Sequence, residues 1–142
     1  MTPTTSPATP REVFAHMQQS WLAKSDHATD PLADDVVIEM PFARPGRPRR
    51  IEGRDQVLAL FGPERAAFPV RFDEVRNIAI HDTSDPEVIV VEYELAGTVL
   101  TTGHQASAPF IGVLRVRNGK IALWREYQNT AAIDQALAAT TP

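Results

Sequence analysis

The spacing of apolar residues changes along this chain, and each spacing predicts a different element. Near the N-terminus the apolar positions recur every three or four residues, as on one face of a helix: Val13, Phe14, Met17 and Trp21. Thr9 and Glu12 have the spacing of a capping box, and Pro10 suits the first position of a helix. We therefore predict a helix from residue 10 to about residue 24.

The next segment is divided into short elements by proline and glycine. Asp30-Pro31 predicts a short turn of helix, and the apolar run of residues 36–40 predicts a strand that ends at Pro41. A second helix is expected after residues 51–55, and Gly62-Pro63 is expected to break or kink it. This part of the chain is therefore predicted to hold one strand between two helices.

From about residue 70 the apolar and polar positions alternate, which is typical of strands with two different faces. Strands are expected over about residues 70–81, 88–99 and 104–116, and the irregular alternation of the first of these indicates a bulge. In the second strand, Glu92 and Glu94 fall opposite the apolar residues and are expected on the outer face.

The clearest local signal is the hairpin between Phe110 and Asn129. Its turn, Asn118-Gly119, has the residues that best tolerate the positive φ angles of a type I′ turn. Alternation along the last strand separates two faces, of which one carries Ala122, Trp124, Glu126 and Gln128, and the other carries Ile121, Leu123, Arg125, Tyr127 and Asn129. A carboxyl beside an aromatic ring either pairs with a cation or has its pKa raised.

The predicted order is helix, strand, helix, four antiparallel strands and a short final helix over about residues 131–139. Strands segregated from helices indicate an α+β fold. A curved antiparallel sheet wrapped around a few helices leaves a cone with an apolar cavity, which is a ligand site. We expect one domain over residues 10–142, preceded by a disordered Thr/Pro-rich tail at residues 1–9.

Composition narrows the classes of partner. The net charge of −4 and the pI of about 5.5 argue against nucleic acid and against an anionic membrane surface. The chain has no cysteine, and its four histidines show no metal-ligand spacing, so we predict no metal and no cofactor. No apolar run approaches the roughly 20 residues that span a bilayer, and no signal peptide is recognisable, so we expect a cytoplasmic protein.

Three segments in this order, ADDVVIEMPF, IEGRD and NGKIALWREYQN, resemble the SnoaL-like branch of the nuclear-transport-factor-2-like superfamily, over about residues 11–138. A closer resemblance is to the phenazine-biosynthesis A/B-type proteins, through the turn at residues 83–86, Val91-Glu92 and the segment from Arg125 to Asn129. The resemblance implies a cone-shaped α+β barrel with an internal apolar cavity, which forms a homodimer through its sheet.

Only some catalytic residues of the related families have counterparts of the same type in this chain. Met40 stands where the ketosteroid isomerases have their base, and Gly112 stands where a second acid of the isomerases and the acid of the aromatic cyclases fall. Neither side chain transfers protons, which argues against steroid isomerisation and against that cyclase mechanism. Glu126 matches the acid/base of the phenazine-type proteins, and the resemblance places its face of the last strand in the cavity.

Two residues are candidate proton-transferring groups. Glu126 is the first, and the alternative is a structural ion pair with Arg125 or Arg115. His104 is the second: without an intervening bulge it shares the face of Gly112 and points into the cone, and the alternative is a histidine near solvent at the end of a hairpin.

Substrate contacts are expected from the cavity walls: Trp21, Met40, Phe42, Phe61, Phe110, Gly112, Trp124 and Gln128. Trp21 could equally be part of the core. The loop of residues 43–50 contains four arginines, which form either a solvated surface or an electrostatic collar for an anionic substrate.

Two functions remain open. The first is a cofactor-independent isomerase, cyclase, dehydratase or condensation enzyme that acts on a hydrophobic, carbonyl-bearing metabolite in secondary metabolism. The second is a binding or scaffolding domain of the same fold without chemistry. Glu126 favours the enzyme, whereas Met40 and Gly112 favour the binding domain.

Overall fold

The structure, a computed structural model, describes residues 6–24 and 27–138. Within these residues the elements follow the order α1 (Pro10–Leu22), β1 (Leu32–Glu39), β2 (Arg50–Glu52), α2 (Arg54–Ala67), β3 (Val70–Asp82), β4 (Val88–Val99), β5 (Gln105–Arg117), β6 (Lys120–Gln128) and α3 (Thr130–Ala138). The predicted α+β class and the four consecutive antiparallel strands are confirmed.

All strands of the described residues belong to one curved sheet with the order β2-β1-β6-β5-β4-β3. Neighbouring strands are antiparallel except for β1 and β6, which are parallel. The expected curved sheet that wraps around the helices as a cone is present, although it is mixed rather than wholly antiparallel and does not close. The reason is that β1 pairs with a strand far along the chain, and local alternation contains no information about such a partner.

Helix α1 forms as the capping box predicts. The Glu12 amide donates to the Thr9 hydroxyl at 3.2 Å, and the Thr9 amide donates to the Glu12 carboxylate at 3.1 Å. Its buried apolar residues, Val13, Phe14 and Met17, face the sheet. Thr9 therefore belongs to the folded unit rather than to the tail predicted for residues 1–9. Residues 1–5 of that tail lie outside the described residues, and the domain boundary remains a prediction.

In the first half of the chain, the helical turn predicted at residues 30–31 is wrong, and of the break or kink expected at residues 62–63 the break does not occur. Asp30-Pro31 does not begin a helical turn, because the Pro31 carbonyl accepts from the Ile121 amide and strand pairing begins directly afterwards. Pro63 does not break α2, which continues to Ala67. The exposed position of Ala59 explains this, because water can satisfy the carbonyl that a proline leaves without its helical donor.

Irregular pairing decides which side chains reach the inner face of the sheet, which we define as the face that bears Tyr93 and Trp124. The predicted bulge in β3 is confirmed by two register shifts against β4. A further shift between β5 and β6 leaves Ala122 unpaired, so Ile121 is buried on the inner face. The expected face of Ile121 is therefore wrong, although those of Trp124, Glu126 and Gln128 are right.

The hairpin turn has the expected geometry, with φ angles of +52° at Asn118 and +75° at Gly119. On the inner face an aromatic cluster packs against α1. The Tyr93 and Phe110 rings lie 5.4 Å apart, and the Phe14 and Tyr93 rings lie 5.8 Å apart. This cluster forms the floor of the site described next.

Candidate functional site

A cavity of about 400 Å³ lies between the inner face of the sheet and helices α1, α2 and α3. Most of its wall is apolar, as expected for a site that holds a small organic molecule. Of the residues expected as substrate contacts, six line it: Trp21, Met40, Phe61, Phe110, Trp124 and Gln128. The predicted apolar cavity is therefore present, and most of the predicted wall residues surround it.

Two expected wall residues lie elsewhere. Phe42 follows the end of β1, is 59% exposed and packs its ring against Tyr127, which belongs to the outer face of the sheet. Gly112 is buried beneath Trp124, and a Cβ atom at this position would overlap the six-membered ring of the indole. Gly112 thus supports the position of Trp124 and does not itself line the cavity.

His104 does not point into the cone. It lies exposed in the turn before β5, where its backbone amide donates to the Thr102 hydroxyl at 3.1 Å. Strand β5 begins only at Gln105, so the alternation that relates His104 to Gly112 does not extend to it. The alternative of a histidine near solvent at a hairpin end is correct.

Glu126 lines the cavity, and neutral donors hold its carboxyl. Trp124 Nε1 donates to Oε2 at 3.1 Å, and Gln128 Nε2 donates to Oε1 at 3.0 Å. The proposed ion pairs with Arg125 and Arg115 do not form. Arg125 pairs with Glu39 at 3.0 Å, and Arg115 pairs with Glu87 at 2.9 Å. Among the described residues Glu126 has no cationic partner within 4.0 Å.

These surroundings change the acidity of Glu126. Burial raises the pKa of its carboxyl above the ordinary value, and the hydrogen bonds from Gln128 and Trp124 offset part of that rise. Proton transfer near neutral pH is most efficient when the pKa of the acid/base is close to the working pH. The arrangement therefore suits Glu126 for transferring a proton.

Tyr93 contributes a buried hydroxyl to the same cavity. The residue is 2% exposed, and its hydroxyl lies beside the Glu126 carboxyl without a hydrogen bond of full geometry to any described residue. Burial raises the pKa of Tyr93 well above its ordinary value, and the negative charge of Glu126 raises it further. Tyr93 therefore stays protonated and presents a donor to a ligand oxygen.

His27 and Asp30 form a second polar pair in the cavity wall, which the sequence analysis did not identify. His27 Nδ1 lies 2.8 Å from Asp30 Oδ2, and the side chain of Asp30 is 7% exposed. Burial by itself would raise the pKa of Asp30, but the hydrogen bond with His27 and other neighbours outweigh it, so that pKa is lowered. The spacing of these two residues, three positions apart in a turn, is the one signal that pointed to their contact.

Two arginines of the loop at residues 43–50 face the cavity mouth. Arg44 pairs with Asp134 of α3, and Arg47 pairs with Glu64 of α2. Within the described part of the chain these pairs join the loop to the two helices. The loop therefore holds the helices over the cavity instead of presenting unpaired cations.

The outer face of the sheet carries paired charges. Glu94 accepts from Arg76 at 2.6 Å, and Glu92 lies 2.7 Å from the ring of His81. Their expected position on the outer face is therefore confirmed. In residues 6–24 and 27–138, no three histidine and acidic side chains converge as a metal site requires, and no helix is long and apolar enough to cross a membrane.

The curved sheet, the covering helices and the apolar cavity define an α+β fold of the nuclear-transport-factor-2-like kind. The chain belongs to the SnoaL-like family, because the sequence model of the SnoaL-like domain matches residues 11–124. The resemblance to this family and to phenazine-type relatives is confirmed.

A PhzA/B-like protein of Pseudomonas aeruginosa is 33% identical over 93 residues, which are 66% of this chain and 64% of that protein. The chain thus spans just under two thirds of that relative's length. A Bacillus subtilis structure, provisionally named as an isomerase, has a TM-score of 0.80 and 22% identity over 91% of this chain and 92% of its own. A phenazine biosynthesis-related protein of Pseudomonas aeruginosa has a TM-score of 0.67 and 23% identity over 91% and 84% of the two chains. The structural likenesses show the fold.

Proposed function

We propose that the protein catalyses proton transfer on a small hydrophobic, carbonyl-bearing metabolite without a cofactor, and that Glu126 is the general acid/base. The observation that carries this proposal is a carboxyl in an apolar cavity, held by two neutral donors. A carboxyl in such a site has a raised pKa and is suited to exchange a proton with a bound substrate. The protein's place in secondary metabolism and its cytoplasmic location remain predictions.

The chemistry follows from the groups in the wall. Ionised Glu126 removes a proton from the carbon next to the substrate carbonyl, and the electron pair moves onto the carbonyl oxygen. The Tyr93 hydroxyl donates a hydrogen bond to that oxygen as its negative charge develops. If a double bond is conjugated with the enolate, protonated Glu126 returns the proton to its far carbon, which gives isomerisation. If the enolate carbon instead attacks a second carbonyl, Glu126 protonates the resulting alkoxide, which gives cyclisation.

We propose the His27–Asp30 pair as the second proton-transferring element, in place of His104. Ionised Asp30 holds the imidazole by its Nδ1, so the orientation and tautomer of His27 are defined. Both residues line the cavity that Glu126 lines. Two such groups in one cavity allow one to remove a proton while the other donates one, as dehydration requires.

The alternative is a domain that binds a ligand without chemistry. Met40 lines the cavity and Gly112 lies beneath Trp124, and neither supplies an acid where the isomerases and cyclases have one. Both functions require a bound small molecule, so native mass spectrometry of protein purified from its host should detect a retained metabolite in either case.

A generic proton-abstraction probe separates the two functions before the metabolite is known. In 5-nitrobenzisoxazole a base removes the ring C–H proton, the N–O bond breaks, and a nitrile and a coloured phenolate form. We expect the wild type to accelerate this reaction and Glu126→Gln to lose about 10²–10⁴-fold of the acceleration. Glu92→Gln, which changes an outer-face carboxyl, is the matched control. Equal rates for wild type and Glu126→Gln would favour the binding domain.

We also propose that the protein forms a homodimer through the outer face of its sheet. This face exposes the apolar side chain of Ile111, at 43%, and Phe42, which is 59% exposed, packs against Tyr127 of the same face. Exposed apolar surface of this kind on a sheet commonly marks an interface. Sedimentation should show a dimer at micromolar concentration, and Ile111→Glu should shift it to monomer; a wild-type monomer would refute this proposal.

A further inference from the structure

Six charged side chains line the cavity, and three of them are held by partners on neighbouring elements: the residues are Asp30, Arg44, Arg47, Glu64, Arg65 and Glu126, and the ion pairs are those of Arg44, Arg47 and Glu64. Arg44 pairs with Asp134, Arg47 pairs with Glu64, and Asp30 is bound by His27. Among the described residues, Arg65 has no carboxylate within 4.0 Å and Glu126 has no cation within 4.0 Å.

Arg65 is held firmly but incompletely satisfied. It lies in the last turn of α2, and its terminal nitrogen Nη2 donates to the Trp21 carbonyl at the end of α1. The guanidinium lies over the Phe72 ring, with Cζ 4.9 Å from the ring centroid. Its Nε is buried and has no acceptor among the described residues, and none of their carboxylates lies within 4.0 Å of it.

A half-buried guanidinium without an anion is costly, because burial removes hydration that no partner replaces. Burial lowers the pKa of Arg65, while the charges of Asp30 and Glu126 raise it in part. Arginine nevertheless remains protonated in proteins, so the positive charge persists. The two nearby carboxyls accept hydrogen bonds from other residues, Asp30 from His27 at Oδ2 and Glu126 from Trp124 and Gln128, while Asp30 Oδ1 has no hydrogen-bond partner among the described residues.

We propose that Arg65 binds a carboxylate of the ligand, so that the metabolite is a hydrophobic organic acid; this inference rests on the proposed function of the cavity. A carboxylate matches the planar fork of a guanidinium and supplies the acceptor that Nε lacks. Arg65 is a single cation without an ion pair among the described residues, and the carboxyls of Asp30 and Glu126 also line the cavity of about 400 Å³, so a ligand of low charge is favoured and a carboxylate fits better than a phosphate. Anchored there, the acid presents the rest of its skeleton to Glu126.

The two tryptophans of the chain, Trp21 and Trp124, both line the cavity, so intrinsic fluorescence reports its occupation. The probes are adamantane-1-carboxylate and its neutral analogue adamantane-1-carboxamide, which have nearly the same shape. At pH 8 and low salt we expect the carboxylate to bind at least about tenfold more tightly than the amide. Equal affinities in the wild type would overturn the proposal.

Substitution of Arg65 tests whether a preference for the carboxylate probe depends on this residue. Arg65→Met should abolish the carboxylate preference while it preserves amide binding. Arg54→Met, in the first turn of the same helix and outside the cavity wall, is the matched control and should keep the preference. If Arg65→Met does not fold because the Trp21 carbonyl loses its donor, Arg65→Gln retains an N–H and removes the charge. A preference that persists in the folded Arg65 variant overturns the assignment.

The benzisoxazole reaction distinguishes this inference from the function on which it rests. Loss of the rate in Glu126→Gln together with equal binding of the two adamantane probes would refute the carboxylate subsite and leave the acid/base function supported. Carboxylate preference that depends on Arg65, with no effect of Glu126→Gln on the rate, would support the subsite and refute the chemistry.

Discussion

Glu126 and Glu94 lie on strands of the same sheet but on opposite faces, and their surroundings give them opposite acidities. On the inner face, burial raises the pKa of Glu126, and its hydrogen-bond donors are neutral. On the outer face, the hydrogen bond from Arg76 lowers the pKa of Glu94, and Asn77 adds to that effect. The charge of the partner and the access of water, rather than the residue type, decide which carboxyl is suited to exchange protons.

The same comparison separates catalysis from stability. A carboxylate fixed by an arginine on a water-exposed face contributes little to stability and is tied to one protonation state. A carboxyl with a raised pKa destabilises the fold when it ionises, and proteins retain such groups mainly at functional sites. The inner face therefore carries Glu126, a carboxyl whose presence is explained by function and not by a contribution to stability.

The largest effect should appear in the pH dependence of the benzisoxazole reaction. Because the base must be ionised, the rate should fall about tenfold per pH unit below the pKa of Glu126. We expect the midpoint of the wild-type profile to lie above the ordinary glutamate pKa, since burial raises it. Glu94→Gln should leave the midpoint unchanged. A midpoint at or below the ordinary value would mean that the pKa of Glu126 is not raised, and the two carboxyls would then not differ in acidity as described.

Gly112→Ala should damage the inner face through packing. Its new methyl group would overlap the Trp124 indole, which donates to Glu126, and overpacking of this kind typically costs about 1–3 kcal/mol. Thermal unfolding should show the loss of stability. A smaller ring gives the control: in a Trp124→Phe background the added methyl should cost clearly less. Equal costs in the two backgrounds would show that the indole does not require the glycine.

The two carboxyls should also affect stability in opposite directions. The folded-state pKa of Glu126 is raised, so its ionisation lowers stability as pH rises from the unfolded pKa to the folded pKa. At pH 8 we therefore expect Glu126→Gln to keep the Tm or raise it by at most about 4 °C. The folded-state pKa of Glu94 is lowered, so Glu94 stabilises above the unfolded pKa, and this stabilisation is lost as pH falls through the folded pKa. Glu94→Gln should lower the Tm at pH 8; a fall in both variants would contradict the sign for Glu126.

The smallest effect should come from the exposed outer-face pair of His81 and Glu92, whose side chains are 55% and 51% exposed. Replacing His81 with Asn should change the Tm by less than about 2 °C, as is usual for surface positions. Differential scanning calorimetry at pH 6 and pH 8 would test this. A fall of several degrees would show that the His81–Glu92 pair contributes more than a screened surface ion pair.

Local pattern was sufficient to predict much of the sheet. The strands after residue 70 follow from alternation, and their last turn follows from Asn118-Gly119. The position of β1 could not be predicted, because its partner β6 is joined to it by contacts across 86 residues, as between Glu39 and Arg125. Sequence spacing determines the face of a residue within a strand but does not determine the neighbouring strand.

Some residues of the candidate site could likewise be predicted from local sequence, and others could not. Glu126, Trp124 and Gln128 were predicted together, because residues two positions apart on a strand share a face. His104 was misplaced because it lies just outside its strand, in a turn where alternation has no meaning. The contact between His27 and Asp30 occurs in a turn, and only the folded chain shows that this turn lines the cavity of Glu126.

The pairing of β1 with β6 has a consequence for the order in which the molecule assembles. Strands β3 to β6 each pair with the next along the chain, so they can form from nearby contacts, whereas β1 must close a loop of more than eighty residues. Met40, just past the end of β1, belongs to the cavity wall, so that wall is completed only after this closure. We expect a ligand to leave the early refolding phases unchanged in stopped-flow tryptophan fluorescence and to slow unfolding of the finished fold. Ligand binding would then depend on the last folding step, in which β1 pairs with β6.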